Sequence, residues 1–188
     1  QSKFSDYIGQ MNVVMFAPED LNVVKGSPQV RRRFIDMEIG QISSIYLHDL
    51  LTFNKILKQR NHLLKMHQGR QTLHNDVMFD VYTEQYVHAA VKVIRKRFEF
   101  MKLLQEWAEP IHNGISRGKE KLVIKYRPVT GLDETMDEQA MIQFLTTKLQ
   151  EMKQKEIDRG LTLVGPHRDD LQFFVNDYDV QTYGSQGQ

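Results

Sequence analysis

Residues 76–107, DVMFDVYTEQYVHAAVKVIRKRFEFMKLLQEW, carry the strongest periodic signal in the chain. Phe79, Tyr82, Tyr86, Ala89, Val93, Phe100, Leu103 and Trp107 recur at alternating steps of three and four, with Lys96 in the same series. That alternation holds one helical face toward a partner, and it predicts a long helix starting near Asn75 or Asp76. Pro110 is expected to end or kink it, because an interior proline costs about 3 kcal/mol. Aromatics interleaved with cations can also stack on bases. At helical spacing, packing is the simpler account of them.

The upstream sequence supplies a partner. Tyr46, Leu50, Phe53, Leu57, Arg60 and Leu64 repeat the same alternation. They predict a helix from Ser43 or Ser44 to about His67, stopped by Gly69. Ser27 followed by Pro28 predicts a shorter helix that ends near Gly40. Downstream, Thr135 and Glu138 have capping-box spacing. The helix they open carries Ile142, Leu145, Leu149 and Met152 on one face and stops at Gly160. Short strands are expected at Asn12–Phe16, Lys121–Tyr126, Leu161–Val164, Leu171–Val175 and Tyr178–Val180, the last two joined as a hairpin at Asn176-Asp177. Such short strands do not satisfy a sheet alone, so neighbours are expected before residue 1 and after residue 188. The expected class is α+β, mostly α: an antiparallel, coiled-coil-like helical domain inserted between short β segments. The expected division is 1–42, 43–120 (long antiparallel helices), 121–160 (strand, loop, third long helix) and 161–188 (hairpin region).

Composition fits that reading. The 188 residues are 40% hydrophobic and 10% aromatic, enough for a core. The net charge of +1 leaves any work on polyanions to local patches. The absence of cysteine excludes disulfides and thiolate metal sites, and is compatible with a reducing cytoplasm. No apolar run approaches the roughly 20 residues a membrane helix needs. The chain begins Gln-Ser-Lys without initiator Met or signal peptide, and reads as an internal piece of a longer protein.

Candidate chemistry is sparse. Gly114-Ile-Ser-Arg-Gly118-Lys119 is one residue short of a phosphate loop, lacks the Ser or Thr after the lysine, and precedes a strand instead of a helix. His167-Arg168-Asp169-Asp170 has metal-ligand residue types. Adjacent residues on extended chain point apart, so a salt-bridged turn with Arg168 against a carboxylate is favoured. No metal site is expected. Arg31-Arg32-Arg33, then Lys92, Arg95, Lys96, Arg97 and Lys102, then Arg117, Lys119 and Lys121 form successive basic clusters. They are either a solvated face or a grip on a phosphate backbone. Lys92, Arg95, Lys96 and Arg97 are the candidate DNA-binding residues, because they crowd one helix. Gly184-Ser-Gln-Gly-Gln188 could open a helix. Ser185 would then be an ordinary N-cap, worth about 1 kcal/mol. Alternatively it is a phosphate receptor at a positive helix end.

Three long stretches resemble the RecF family of bacterial recombination mediators: PEDLNVVKGSPQVRRRFID at 18–36, GPHRDDL at 165–171 and YGSQGQ at 183–188. Leu57–Asn61 and Glu99–Pro110 are similar to it as well, so the resemblance covers essentially the whole chain. It implies part of an ABC-type ATPase head, related to the SMC-like proteins, with a helical domain inserted. In the complete protein it implies ATP and magnesium binding, weak DNA-dependent ATPase activity and ATP-driven homodimerisation. It implies binding to duplex DNA and single-strand/duplex junctions, and RecR, RecO and RecA as partners in gap repair, the SOS response and stalled-fork rescue. The location it implies is cytoplasmic and nucleoid-associated. Ser185, Gln186, Gly187 and Gln188 match the ABC signature motif, which reaches the γ-phosphate of ATP held by the other subunit. The family's Walker A lysine, Walker B acidic residues and D-loop have no counterpart in this sequence. No catalytic residue is therefore expected in this segment, nor ATP or magnesium bound to it. The alternative is a helical protein-interaction or DNA-binding module without ATP-dependent activity.

Overall fold

The computed structural model describes residues 21–68, 77–128 and 131–180. The expected strand Asn12–Phe16, the Gly69 stop, the start of the longest helix at Asn75 or Asp76, and Ser185–Gln188 lie outside them. Helices α1 (Leu21–Lys25), α2 (Pro28–Ile42), α3 (Ser44–His67) and α4 (Val77–Ser116) come first. Strand β1 (Leu122–Arg127), helix α5 (Glu138–Arg159) and strands β2 (Asp170–Val175) and β3 (Tyr178–Asp179) follow. The chain is mostly α with a small antiparallel sheet, as the sequence predicts. No described helix is long and apolar enough to cross a membrane.

The described residues form two compact units, and α4 contributes to both. The helical unit holds residues 45–68, 77–95, 128 and 131–168. Phe53 meets Tyr86 with ring centroids 5.5 Å apart, Arg60 bonds Thr83, and its guanidinium lies over Phe79. Rising numbers on α3 meet falling numbers on α4, so the pair is antiparallel. The core is Tyr46, Phe53 and Leu64 of α3, Phe79, Tyr86, Ala90 and Ile94 of α4, and Met141, Leu145, Leu149 and Ile157 of α5.

Leu145 and Leu149 of the expected α5 stripe are buried, while Ile142 and Met152 are half-buried and Met141 and Ile157 complete the buried face. The helix is capped by Asp137, whose carboxylate accepts from the Ala140 amide. Thr135 is not the cap; its own amide donates to Asp133. At the other end Gly160 adopts φ 64° and closes the helix, as predicted.

Leu161–Val164 is not a strand. Side chains take the places of a neighbouring strand: the Thr162 amide donates to Asn61 Oδ1 at 2.7 Å, and the Leu163 amide to Glu156 Oε1 at 2.8 Å. Beneath them Arg60 and Glu156 are paired at 2.7 Å, with side chains 1% and 0% exposed. The other Arg60 donors reach Thr83 Oγ1 and Thr162 Oγ1. A charge that stands among apolar positions of a helical stripe is thus fully partnered, as burial requires.

The second unit holds residues 21–44, 96–127 and 169–180. Its sheet has the order β1-β2-β3, all antiparallel, with Leu122 opposite Val175 and Arg127 opposite Asp170. The short strands therefore find partners in one another. Asn176 and Asp177 both have positive φ, 51° and 67°, which suits the twist of a two-residue hairpin. Helix α2 packs on β2. Its interior comprises Ile35 and Ile39, Phe100 and Met101 of α4, Ile124 and Tyr126 of β1, and Leu171 and Phe173 of β2.

Two expectations for α4 change here. The helix continues through Pro110 to Ser116. Leu103 and Trp107 leave the packed stripe, at 40% and 55% exposed, while Met101 is buried. Helix α2 ends at Ile42, near Gly40 as expected, with Gly40 buried in its last turn.

Candidate nucleic-acid interface

Of the four predicted DNA-binding cations, Lys92, Arg95 and Lys96 fall within about 100° of arc on α4 and reach the surface, whereas Arg97 is buried. Lys92 is exposed and lines an open hollow with Asp49 and Glu84. Arg95 is paired with Glu138 of α5, and Lys96 with Glu99 at 2.6 Å, all four side chains well exposed.

Arg97 is 2% exposed and belongs to the interior. Its Nη2 lies 2.8 Å from Asp36 Oδ1, its Nη1 bonds the Tyr126 hydroxyl, and its guanidinium lies over the Tyr126 ring. It cannot meet a polyanion without leaving that site. Arg97→Glu is therefore expected to unfold the second unit, as a buried like-charge pair with Asp36, whereas Arg95→Glu leaves folding intact. Thermal unfolding followed by circular dichroism separates the two, and equal melting temperatures would return Arg97 to the surface.

The Arg31–Arg33 run is mostly consumed in the same way. Arg31 grips Asp170 through two parallel bonds of 2.7 and 2.8 Å, a bidentate fork. Its Nη1 donates to the Gly26 carbonyl. Arg32 donates to the Asp169 carbonyl at 2.7 Å, and Arg33 alone of the three is exposed.

The two sequence motifs thus lock together: the arginines of α2 hold the aspartates of the HRDD stretch. Asp169 is fully buried and accepts from the Tyr126 hydroxyl. Burial first, then the Asp169 carboxylate, push the Tyr126 phenol well above its usual range, so it stays protonated and donates.

Arg168 is exposed and is not the cation of this pairing. His167 turns to the helical unit instead: its Nε2 lies 3.0 Å from the Thr162 carbonyl, and its ring meets Tyr86 edge-on. Among the described residues no group of three His, Cys, Asp or Glu could hold a metal ion.

Arg117, Lys119 and Lys121 are exposed near the end of α4. Lys119 and Lys121 line a hollow of about 230 Å³ that also contains Glu109 and Glu120. Arg117 and Gly118 have positive φ and lead into β1, the opposite order to a phosphate loop.

One basic concentration escaped the reading of the sequence. Lys55, Lys58, His62 and Lys65 are all exposed on α3, at i, i+3, i+7 and i+10. Lys58, His62 and Lys65 line a shallow hollow of about 400 Å³ with Asn54, Leu57 and Asn61. The signal was the helical spacing of cations on the polar side of the stripe, which single-letter clustering hides.

Relatives place this architecture. No protein-family model matches the chain. It is 71% identical over all 188 residues to the DNA replication and repair protein RecF of Lysinibacillus sphaericus (strain C3-41), and 59% identical to that of Bacillus mycoides (strain KBAB4). In both cases it covers 50% of the relative, so the chain spans about half the length of the curated relatives it matches. Among solved structures it is similar to the "recombination mediator protein RecF-ATPrS in RecFOR pathway", with a TM-score of 0.90 at 30% identity over 100% of this chain and 50% of that one. A second, the same mediator described as RecF-ATP, gives a TM-score of 0.87 at 31% identity over 96% of this chain and 48% of that one. Along its entire length, and in fold, the chain is similar to one half of these RecF proteins.

Proposed function

We propose that the protein carrying this chain is an ATP-dependent DNA-binding protein of recombinational repair and replication-fork rescue. The observation that carries the reading is the match along the full chain to structures of a recombination mediator described with ATP and an ATP analogue. The activity assigned is a clamp: two copies close with nucleotide between them, and cations on the helical unit hold the phosphate backbone. RecR and RecO are the proposed partners, and loading of RecA at gaps the outcome. Duplex DNA and single-strand/duplex junctions are the proposed substrates.

In this reading Ser185, Gln186, Gly187 and Gln188 hold the γ-phosphate of the nucleotide bound by the other copy. These residues lie outside the described ones, so their assignment rests on the sequence. ATP and magnesium belong to the complete protein. The 188-residue chain has no GxxxxGK[ST] motif and is expected to show no magnesium-dependent ATP hydrolysis.

The experiment is sedimentation of the full-length protein with and without a slowly hydrolysed ATP analogue. A nucleotide-dependent dimer is expected, and Ser185→Arg should abolish it by placing a bulky cation where the phosphate would sit. Dimerisation that ignores both nucleotide and Ser185→Arg would remove the clamp.

A further inference from the structure

The polar face of α3 is a row of exposed cations with no carboxylate in its own stretch of helix. From Asn54 to His67 the helix contains no Asp or Glu. Lys55, Lys58, His62 and Lys65 fall within about 80° of arc and extend about 15 Å along the axis. None of the three lysines forms an ion pair with a described residue, whereas Arg95, Lys96 and Lys148 are each paired with a glutamate. Positive charge that no carboxylate neutralises stands here in a row, on a chain whose net charge is only +1.

Side chains around the lysines narrow the partner. The hollow beside them is lined by the amides Asn54 and Asn61 and by Leu57. Asn61 is fixed: its Oδ1 accepts from both the amide and the hydroxyl of Thr162, which ties α3 to the turn after α5. The stripe contains no Phe, Tyr or Trp. Protein-binding patches are enriched in aromatics and depleted in lysine. Single-strand binding surfaces add aromatic platforms for bases. Lysines and amides without aromatics are the composition of phosphate contacts, which position a backbone and read no sequence.

We propose that Lys55, Lys58 and Lys65, with His62 between them, form a contact for the phosphate backbone of duplex DNA along α3. The inference rests on the DNA-binding reading above and adds its location. The row is long enough to meet two or three successive phosphates of one strand. The rigidity of α3, anchored by the buried Arg60–Glu156 pair on its opposite side, holds the cations in register.

The test is salt-dependent binding of a fluorescein-labelled random-sequence duplex of about 30 base pairs to the full-length protein, between about 50 and 200 mM salt. The triple variant Lys55→Gln/Lys58→Gln/Lys65→Gln should flatten the slope of log K against log salt by about 0.9 per lysine, or about 2.7 in all. The corresponding triple arginine variant should keep the slope, and Lys148→Gln should leave it unchanged. Unchanged melting of the triple glutamine variant shows that the loss is not unfolding. A wild-type slope in the folded glutamine variant overturns the inference while leaving DNA binding itself standing. No duplex binding by the wild-type protein, with or without ATP, overturns both. If the glutamine variant binds duplex normally but loses RecO or RecR, the stripe is a protein surface and the inference fails.

Discussion

Glu156→Ala is expected to destabilise the helical unit by about 3–5 kcal/mol, the range for removing one partner of a buried ion pair. The reason is what it leaves behind. Arg60 is 1% exposed and would keep its charge with the hydroxyls of Thr83 and Thr162 as its remaining acceptors. The Leu163 amide would lose its acceptor too. Urea unfolding followed by circular dichroism measures the effect. Arg60→Met combined with Glu156→Leu should recover most of the loss, since apolar groups of similar volume replace the pair without an orphan charge. Recovery should stop short of wild type, because the Leu163 amide still lacks a partner, at a penalty of about 1–3 kcal/mol. Glu151→Ala, which removes an exposed pair with Lys148, should leave stability essentially unchanged. A Glu156→Ala protein as stable as the Glu151→Ala protein would show the pair to be dispensable.

Gly165→Ala should be comparably severe, at about 3–5 kcal/mol from strain and overpacking together. Gly165 has φ 125°, a conformation that L side chains rarely adopt. A Cβ there would lie 1.9 Å from the Tyr86 hydroxyl and 3.0 Å from its Cζ. Tyr86 cannot yield easily: it is fully buried and donates to the Val164 carbonyl at 2.6 Å. Adding Tyr86→Phe removes the nearest atom, so the double variant should be more stable than the sum of the two single changes predicts. The Cζ contact and the positive φ remain, so recovery is partial. Additive losses in the double-mutant cycle would show that the two residues do not collide. Gly114→Ala has nothing within 4 Å and lies inside α4, so it should be neutral or mildly stabilising.

The helices were legible because their signal is local. Alternating steps of three and four placed α3 from Ser44 to His67, and the stops at Gly160 and the hairpin at Asn176-Asp177 follow from which residues tolerate positive φ. The end of α4 was not, because Pro110 marks a preference that packing can override. The expected strand at Leu161–Val164 failed for a different reason. Its alternation was real, but its amides bond to Asn61 and Glu156, residues about 100 and 7 positions away.

The same division runs through the candidate site. Residue types alone marked three basic clusters, and charge is additive in a sequence. Whether a cation is free is decided by partners, and these are remote: Asp170 lies 139 residues from Arg31, and Asp36 lies 61 from Arg97. The tertiary structure therefore withdrew Arg31 and Arg97 from any surface and left the α3 row unneutralised. By itself the sequence determined the helices, the turns and the resemblance to RecF, since periodicity, φ preference and contiguous motifs are written along the chain. Only the folded structure decided which charges are consumed inside and which still face solvent, because desolvation and ion pairing depend on groups that meet across the fold.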